Sequence, residues 1–218
     1  MCAARTLGRT PTRSHPRSIS VEDLEKGCRA FEEHEGRDSM YRVATFLLQE
    51  WWGKHAEMVD ALGVLLLTWN RAFYQSRSFD EAELQRFLKR NWQQIESYHS
   101  REIAPLDTRE RPVLVTLFDR LNQALRIEDG ARRGVKSPVS AAKALHLLAP
   151  RYFPLWDRAI ANEYGCDYSQ GPAEAYLRFH NMMAHIAGDL SKKLLPSAKS
   201  VLKKIDEYNY AKFTKRWI

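Results

Sequence analysis

The stretch GVKSPVSAAKALHLLAPRYFPLWDRAIANEYG, residues 134–165, sets the reading of the whole chain. Pro138 suits the first turn of a helix, Ala141, Leu145 and Leu148 recur behind it at helical spacing, and Pro150 closes it. A proline-bounded turn follows. Asp157 then stands directly before a second helical run, Arg158 to Tyr164, and Gly165 falls where a C′ glycine belongs. Two helices joined by a tight turn leave no period-2 pattern for a strand.

The same 3.6-residue period extends in both directions. Ala44, Leu47, Leu48 and Trp51 mark one helix, and after Gly53 the stripe Met58, Leu62, Leu65, Trp69 and Phe73 marks another. Ser78 with Glu81 reads as a capping box ahead of Leu84, Phe87, Leu88, Trp92 and Ile95. Pro112 opens a helix carrying Leu114, Leu117, Phe118, Leu121 and Leu125, which ends near Gly130. A long helix follows Pro172, and Pro196 restarts the chain as a final one with Val201, Ile205 and Tyr208. Only Val113 to Phe118 looks strand-like, between helical flanks. The expected fold is all-α, a single domain of about eight helices over residues 21–218. Residues 1–20 hold Pro11 and Pro16 and no apolar stripe, and are read as a flexible basic arm.

Composition bounds the function. The 218 residues are 44% hydrophobic and 28% charged, which excludes wholesale disorder. The longest apolar run, Ala61 to Trp69, is well short of the roughly 20 residues of a spanning helix, so no membrane partner is expected. Three cysteines without a Cys-x-x-Cys pair argue against a disulfide framework and for a reducing compartment. That compartment is the cytoplasm, or the nucleoid or nucleus if the protein acts on DNA. The net charge of +7 is unevenly placed: residues 1–20 carry +4, residues 191–218 carry +6, and the body between them −3. Within the body, Asp129 and Asp157 enclose an acid-free run holding Arg132, Arg133, Lys136, Lys143 and Arg151. Such a run suits a phosphate backbone, and equally a solvated loop balanced by acids elsewhere.

Motif chemistry is mostly exclusion. No phosphate-binding glycine loop, dinucleotide fingerprint or Gly-x-Ser-x-Gly elbow occurs, and no cofactor is expected. His180 and His185 lie about 140° apart around a straight helix, so no metal site is expected from them. More is carried by Asp157 at a helix N-cap, with Lys143 and His146 three residues apart on the preceding helix. A carboxylate beside an amine suits proton abstraction or stabilisation of a developing cation, and it also suits a structural cap with an ion pair. Trp69 and Asn70 end an apolar helix, where an indole and an amide could stack on and read a base, or simply be packing and a C-cap.

Residues 134–160 resemble the core of the helix-hairpin-helix DNA glycosylase superfamily. The Phe153-Pro154 turn and Asp157 match the family's turn and helix-capping aspartate, and Lys143 or Lys136 its lysine. The resemblance implies an all-α hydrolase or lyase acting on DNA. In it, Asp157 stabilises an oxocarbenium-like sugar as a base is cleaved, with His146 nearby. The lysine would form a Schiff base, and Arg132, Arg133, Lys136, Arg151, Trp69 and Asn70 would contact nucleic acid. Gly134-Val135-Lys136 supplies one hairpin glycine where the family has two, and no four-cysteine cluster follows, which excludes the iron–sulfur branch. A rival from another class is a non-enzymatic helical module that binds nucleic acid or a protein. A smaller likeness, Arg178 and His185, is to HEPN ribonucleases; the alternative pairs Arg178 with Glu174.

Overall fold

The computed structural model describes residues 18–36 and 38–218, and the body is all-helical. The chain runs α1 (Val21–His34), α2 (Asp38–Glu50), α3 (His55–Trp69), α4 (Arg71–Tyr74), α5 (Glu81–Arg90), α6 (Trp92–His99) and α7 (Glu110–Ala124). A 3₁₀ turn (Gly130–Arg132) precedes α8 (Pro138–Leu148), α9 (Arg158–Glu163), α10 (Pro172–Ser191) and α11 (Val201–Asn209), and a π turn (Tyr210–Thr214) ends the series. Among the described residues eleven α-helices thus stand where the periodicity suggests about eight.

Two buried asparagines account for much of the difference. The stripes from Met58 to Phe73 and from Leu84 to Ile95 each read as one helix, yet each is divided, at Asn70 and at Asn91. Both asparagines sit in the bridge region, at φ −110°, ψ 28° and φ −112°, ψ 13°. Asn91 turns its amide back onto the Phe87 carbonyl (2.7 Å) and accepts from Arg120 (3.2 Å), so side-chain bonds replace the helical ladder there.

Other boundaries move for similar reasons. The cap of α5 is Asp80, accepting from the Glu83 N–H at 2.9 Å, and not Ser78. Extended Phe79 must reach the core, where it is 2% exposed and bridges Ile127, so the chain cannot turn helical two residues earlier. Asp107 accepts from the Arg109 and Glu110 N–H groups and starts α7 ahead of Pro112. Ser200 caps α11, leaving Pro196 in the preceding loop.

Packing centres on α10, which lies against α7, α8 and α11. The α2–α3 pair covers α8, and α1 lies along α11. That last contact is close: a Cβ on Gly27 would meet the Tyr208 backbone at 2.7 Å, so only glycine permits it. The domain also begins earlier than residue 21. Ile19 is buried at 5% exposure and Ser20 caps α1 through the Asp23 N–H at 3.0 Å. The rest of the basic arm, residues 1–17, lies outside the described residues.

Two predictions follow from these contacts. Ser20→Ala costs about 1 kcal/mol by lost capping, and a truncation that also removes Ile19 costs about 2–3 kcal/mol more, both measured as urea midpoints. His180 is 1% exposed and burial lowers its pKa to about 3. Its neutral form therefore stabilises the fold fully above the usual histidine range, and this is lost as pH falls from about 6.5 toward 3. The His180→Phe variant gains on the wild type as the pH of the urea melt is lowered from about 7 to about 4.5.

Candidate functional site

A cavity of about 310 Å³ opens where α1, the α3–α4 junction, α8, the start of α9 and the α11–π-turn segment meet. Trp69, Asn70, Lys143 and Asp157 all line it. Their convergence has a local cause. Asn70 ends α3 pointing at α8, where Ser140 and Lys143 lie three residues apart on one face. The Asn70 amide donates to Ser140 Oγ (2.7 Å) while its oxygen accepts from Lys143 Nζ (2.6 Å). Lys143 also donates to the Trp69 carbonyl (3.3 Å) and lies 5.5 Å from the Trp69 ring centroid. The break in helix α3 thereby becomes a polar edge of the cavity.

Asp157 takes the extended backbone of an N-cap, and its Oδ1 accepts from the Ile160 N–H at 2.9 Å. Its Oδ2 accepts from the Thr214 hydroxyl at 2.6 Å. The capping role read from sequence is therefore met, and the second oxygen is tied to the far end of the chain. The Phe153-Pro154 turn beneath it is buried, with Trp156 donating to the Pro138 carbonyl at 3.3 Å.

The C-terminal segment supplies the part that the sequence reading missed. Read along the chain it is a basic block; in space both its acids, Asp206 and Glu207, are buried together with Lys203. Asp206 lines the cavity at 8% exposure, with Tyr210, Thr214 and Lys215 from the π turn and just beyond. Tyr210 donates to Glu35, the C-cap of α1, at 2.9 Å, closing that side. Behind the cavity the Lys203 ammonium sits 3.2 Å from Asp38, 3.7 Å from Asp206 and 3.3 Å from Glu207. The faces of Phe31 and Tyr41 lie 4.3 and 4.7 Å from it. Burial pushes the Asp206 carboxyl up to about 7; Lys203 and Lys143 oppose this, and the carboxylates of Glu207 and Asp157 reinforce it. The available signal was Lys203-x-x-Asp206-Glu207, charges on the same turns as apolar Leu202 and Ile205.

Other expected site residues lie elsewhere. His146 does not line the cavity. It is fully buried, its Nδ1–H donates to the Phe153 carbonyl (2.8 Å) and its Nε2 accepts from the Tyr41 hydroxyl (2.9 Å). Burial holds its pKa near 3, so it is a neutral core bridge between α2, α8 and the 149–156 turn. Lys143 and His146 are only about 60° apart around α8, but the lysine meets the broken end of α3 while the histidine meets Tyr41 and the Phe153 carbonyl.

The run from 130 to 156 is also acid-free only in sequence. Arg132 donates to the Phe73 carbonyl (2.6 Å) and covers its ring, and Arg151 pairs with Glu102. Exposed Lys136 shares a separate hollow with Asp119, and Arg133 is exposed. These cations do not gather beside Lys143. Arg178 and His185 are exposed on α10, and Glu174 pairs with Arg111 instead of Arg178. Among the described residues no three His, Cys, Asp or Glu side chains converge as metal ligands. No family model matches the chain, and no curated protein or solved structure matches it either.

The geometry of Asp157 predicts unequal variants. Asp157→Ala loses the cap and leaves the Thr214 hydroxyl without its acceptor, costing about 1–2 kcal/mol. Asp157→Asn keeps an acceptor for Ile160 and costs less than half of that in a urea melt. Equal losses would refute the capping geometry.

Proposed function

We propose that the chain binds nucleic acid and cleaves an N-glycosidic bond in the cavity that holds Asp157, as the likeness of residues 134–160 to helix-hairpin-helix DNA glycosylases suggests. One observation carries this reading: Trp69, Asn70, Lys143 and Asp157, singled out over 89 residues of sequence, line one cavity. At about 310 Å³ it falls at the small end of ligand sites, the scale of a single heterocycle with its sugar.

The chemistry follows from the walls. A base extruded from its stack needs a flat apolar face and a few polar groups on its edge, which the indole of Trp69 and the Asn70–Lys143 pair provide. As the C1′–N bond lengthens, positive charge builds on the sugar, and the Asp157 carboxylate is the anion placed to face it. Lys143 already donates to Asn70 and to the Trp69 carbonyl, so we assign it to orienting the amide, and water to capturing the sugar. Exposed Lys215 on the cavity wall and Arg158 beside Asp157 are placed for the flanking phosphates, a task the dispersed 132–151 cations do not share. The alternative, a binding module in which Asp157 is a cap alone, is favoured by the engagement of both its oxygens.

The two readings separate in one assay. Against single- and double-stranded oligonucleotides carrying a panel of modified bases, the wild type releases free base, and borohydride traps no lysine adduct. Asp157→Asn lowers release at least about 100-fold while affinity stays within about threefold. Binding without release from any member of the panel would establish the module instead.

A further inference from the structure

Resting on that glycosidic reading, we propose that Asp206 is the general acid that protonates the departing base, so that the site is built for neutral bases and not for alkylated, already cationic ones.

The geometry places Asp206 for this. It lines the same cavity as Asp157 but from a different element, α11, and only 8% of its surface reaches solvent. Asp157 has both oxygens engaged as acceptors, by Ile160 and Thr214, so it has the role of an anion and not of a proton donor. A second carboxyl of opposite role is what acid-assisted glycosidic cleavage needs.

The charges around Asp206 define its protonation. Lys203 and Glu207 face it from its own helix, Asp38 and Tyr41 of α2 across Lys203, Lys143 from α8, Asp157 from the cap of α9, and Glu35 at the C-cap of α1 lines the same cavity. Lys203 is shared among three carboxylates, Asp38, Asp206 and Glu207, and so cannot neutralise them all. Burial is the largest influence and raises the group to about 7, so a large fraction carries a proton near neutral pH.

The step balances. The Asp206 O–H gives its proton to a ring nitrogen or carbonyl oxygen of the base as the C1′–N bond breaks, and the bonding pair leaves with the base. Water adds its oxygen to the sugar cation beside Asp157, and the proton it releases returns to the Asp206 carboxylate. The products are a free base and an abasic sugar.

The test compares leaving groups. One set of duplex and single-stranded oligonucleotides carries uracil, hypoxanthine or 8-oxoguanine, and a matched set carries 7-methylguanine or 3-methyladenine, which leave without added protons. Asp206→Asn lowers the ratio of neutral-base to cationic-base release about 100-fold. In the wild type, neutral-base release falls about tenfold per pH unit above about 7, the direction required of an acid that must be protonated, and this second measurement serves if the variant does not fold. A ratio unchanged in the variant, or a wild-type profile flat to about pH 9, overturns the role of Asp206 while leaving glycosidic cleavage standing. Release of cationic bases alone by the wild type does the same. Release of no base from either set overturns both.

Discussion

An ammonium withdrawn from water at Lys203 obliges much of the structure around it. Only 4% of its side chain is exposed, and an isolated charge so placed would cost several kcal/mol. Carboxylates from α2 and α11 and ring faces from α1 and α2 enclose it, so α1, α2 and α11 must meet at one point. Burial alone would drive Lys203 toward neutrality; the acids outweigh it and its pKa rises. Lys199 adds a second cation, bonding Glu207 at 2.9 Å and exposed Glu32 at 2.8 Å. Asp206 is the member of the cluster that reaches the cavity wall, and burial, reinforced by the Glu207 carboxylate, raises its pKa against the pull of Lys203. A site carboxyl with a raised pKa is thus a consequence of how the C-terminal helix is anchored.

The cavity owes its remaining walls to departures from regular helix. Asn70 breaks a helix in two, and the groups freed by the break hold Lys143 in place. The π turn after α11 widens the last helical turn, and two of its residues, Tyr210 and Thr214, then line the cavity, where they bond Glu35 and Asp157. Such turns recur at functional sites because they redirect side chains that an α-helix would align elsewhere. Arg216 follows at φ 57°, a left-handed conformation costly for a side chain of that size, which the Trp217 N–H bond to the Ala211 carbonyl (2.8 Å) helps to hold.

His146 and the basic run teach a related point about charge and face. Lys143 and His146 lie on the same stretch of α8, but the lysine meets a broken helix end and the histidine meets Tyr41 and a buried carbonyl. One becomes a cavity group and the other a core group through their neighbours alone. Arg132, Lys136 and Arg151 likewise find a carbonyl, an aspartate and a glutamate that sequence places 17 to 59 residues away.

The sequence by itself determined what local forces determine. The all-α class followed from apolar spacing, and the Asp157 cap from an acid standing before a helical run, because both depend on residues within a few turns. It also brought out Trp69, Asn70, Lys143 and Asp157, which the structure gathers into one cavity. Asn70 stands as the C-cap of α3, one of its two readings, while the helix ends at Asn91 and Asp80 fall where periodicity does not mark them, since it continues across a break that a buried amide or a core-bound Phe79 imposes. Tertiary structure alone decided that Asp206 reaches the cavity, that His146 does not, and that the cations of the acid-free run disperse, Arg132 to a carbonyl and Arg151 to Glu102. Those outcomes depend on long-range burial: the free energy of a charge is set by what surrounds it in space, and the residues that surround Asp206 come from α1, α2, α8 and the start of α9.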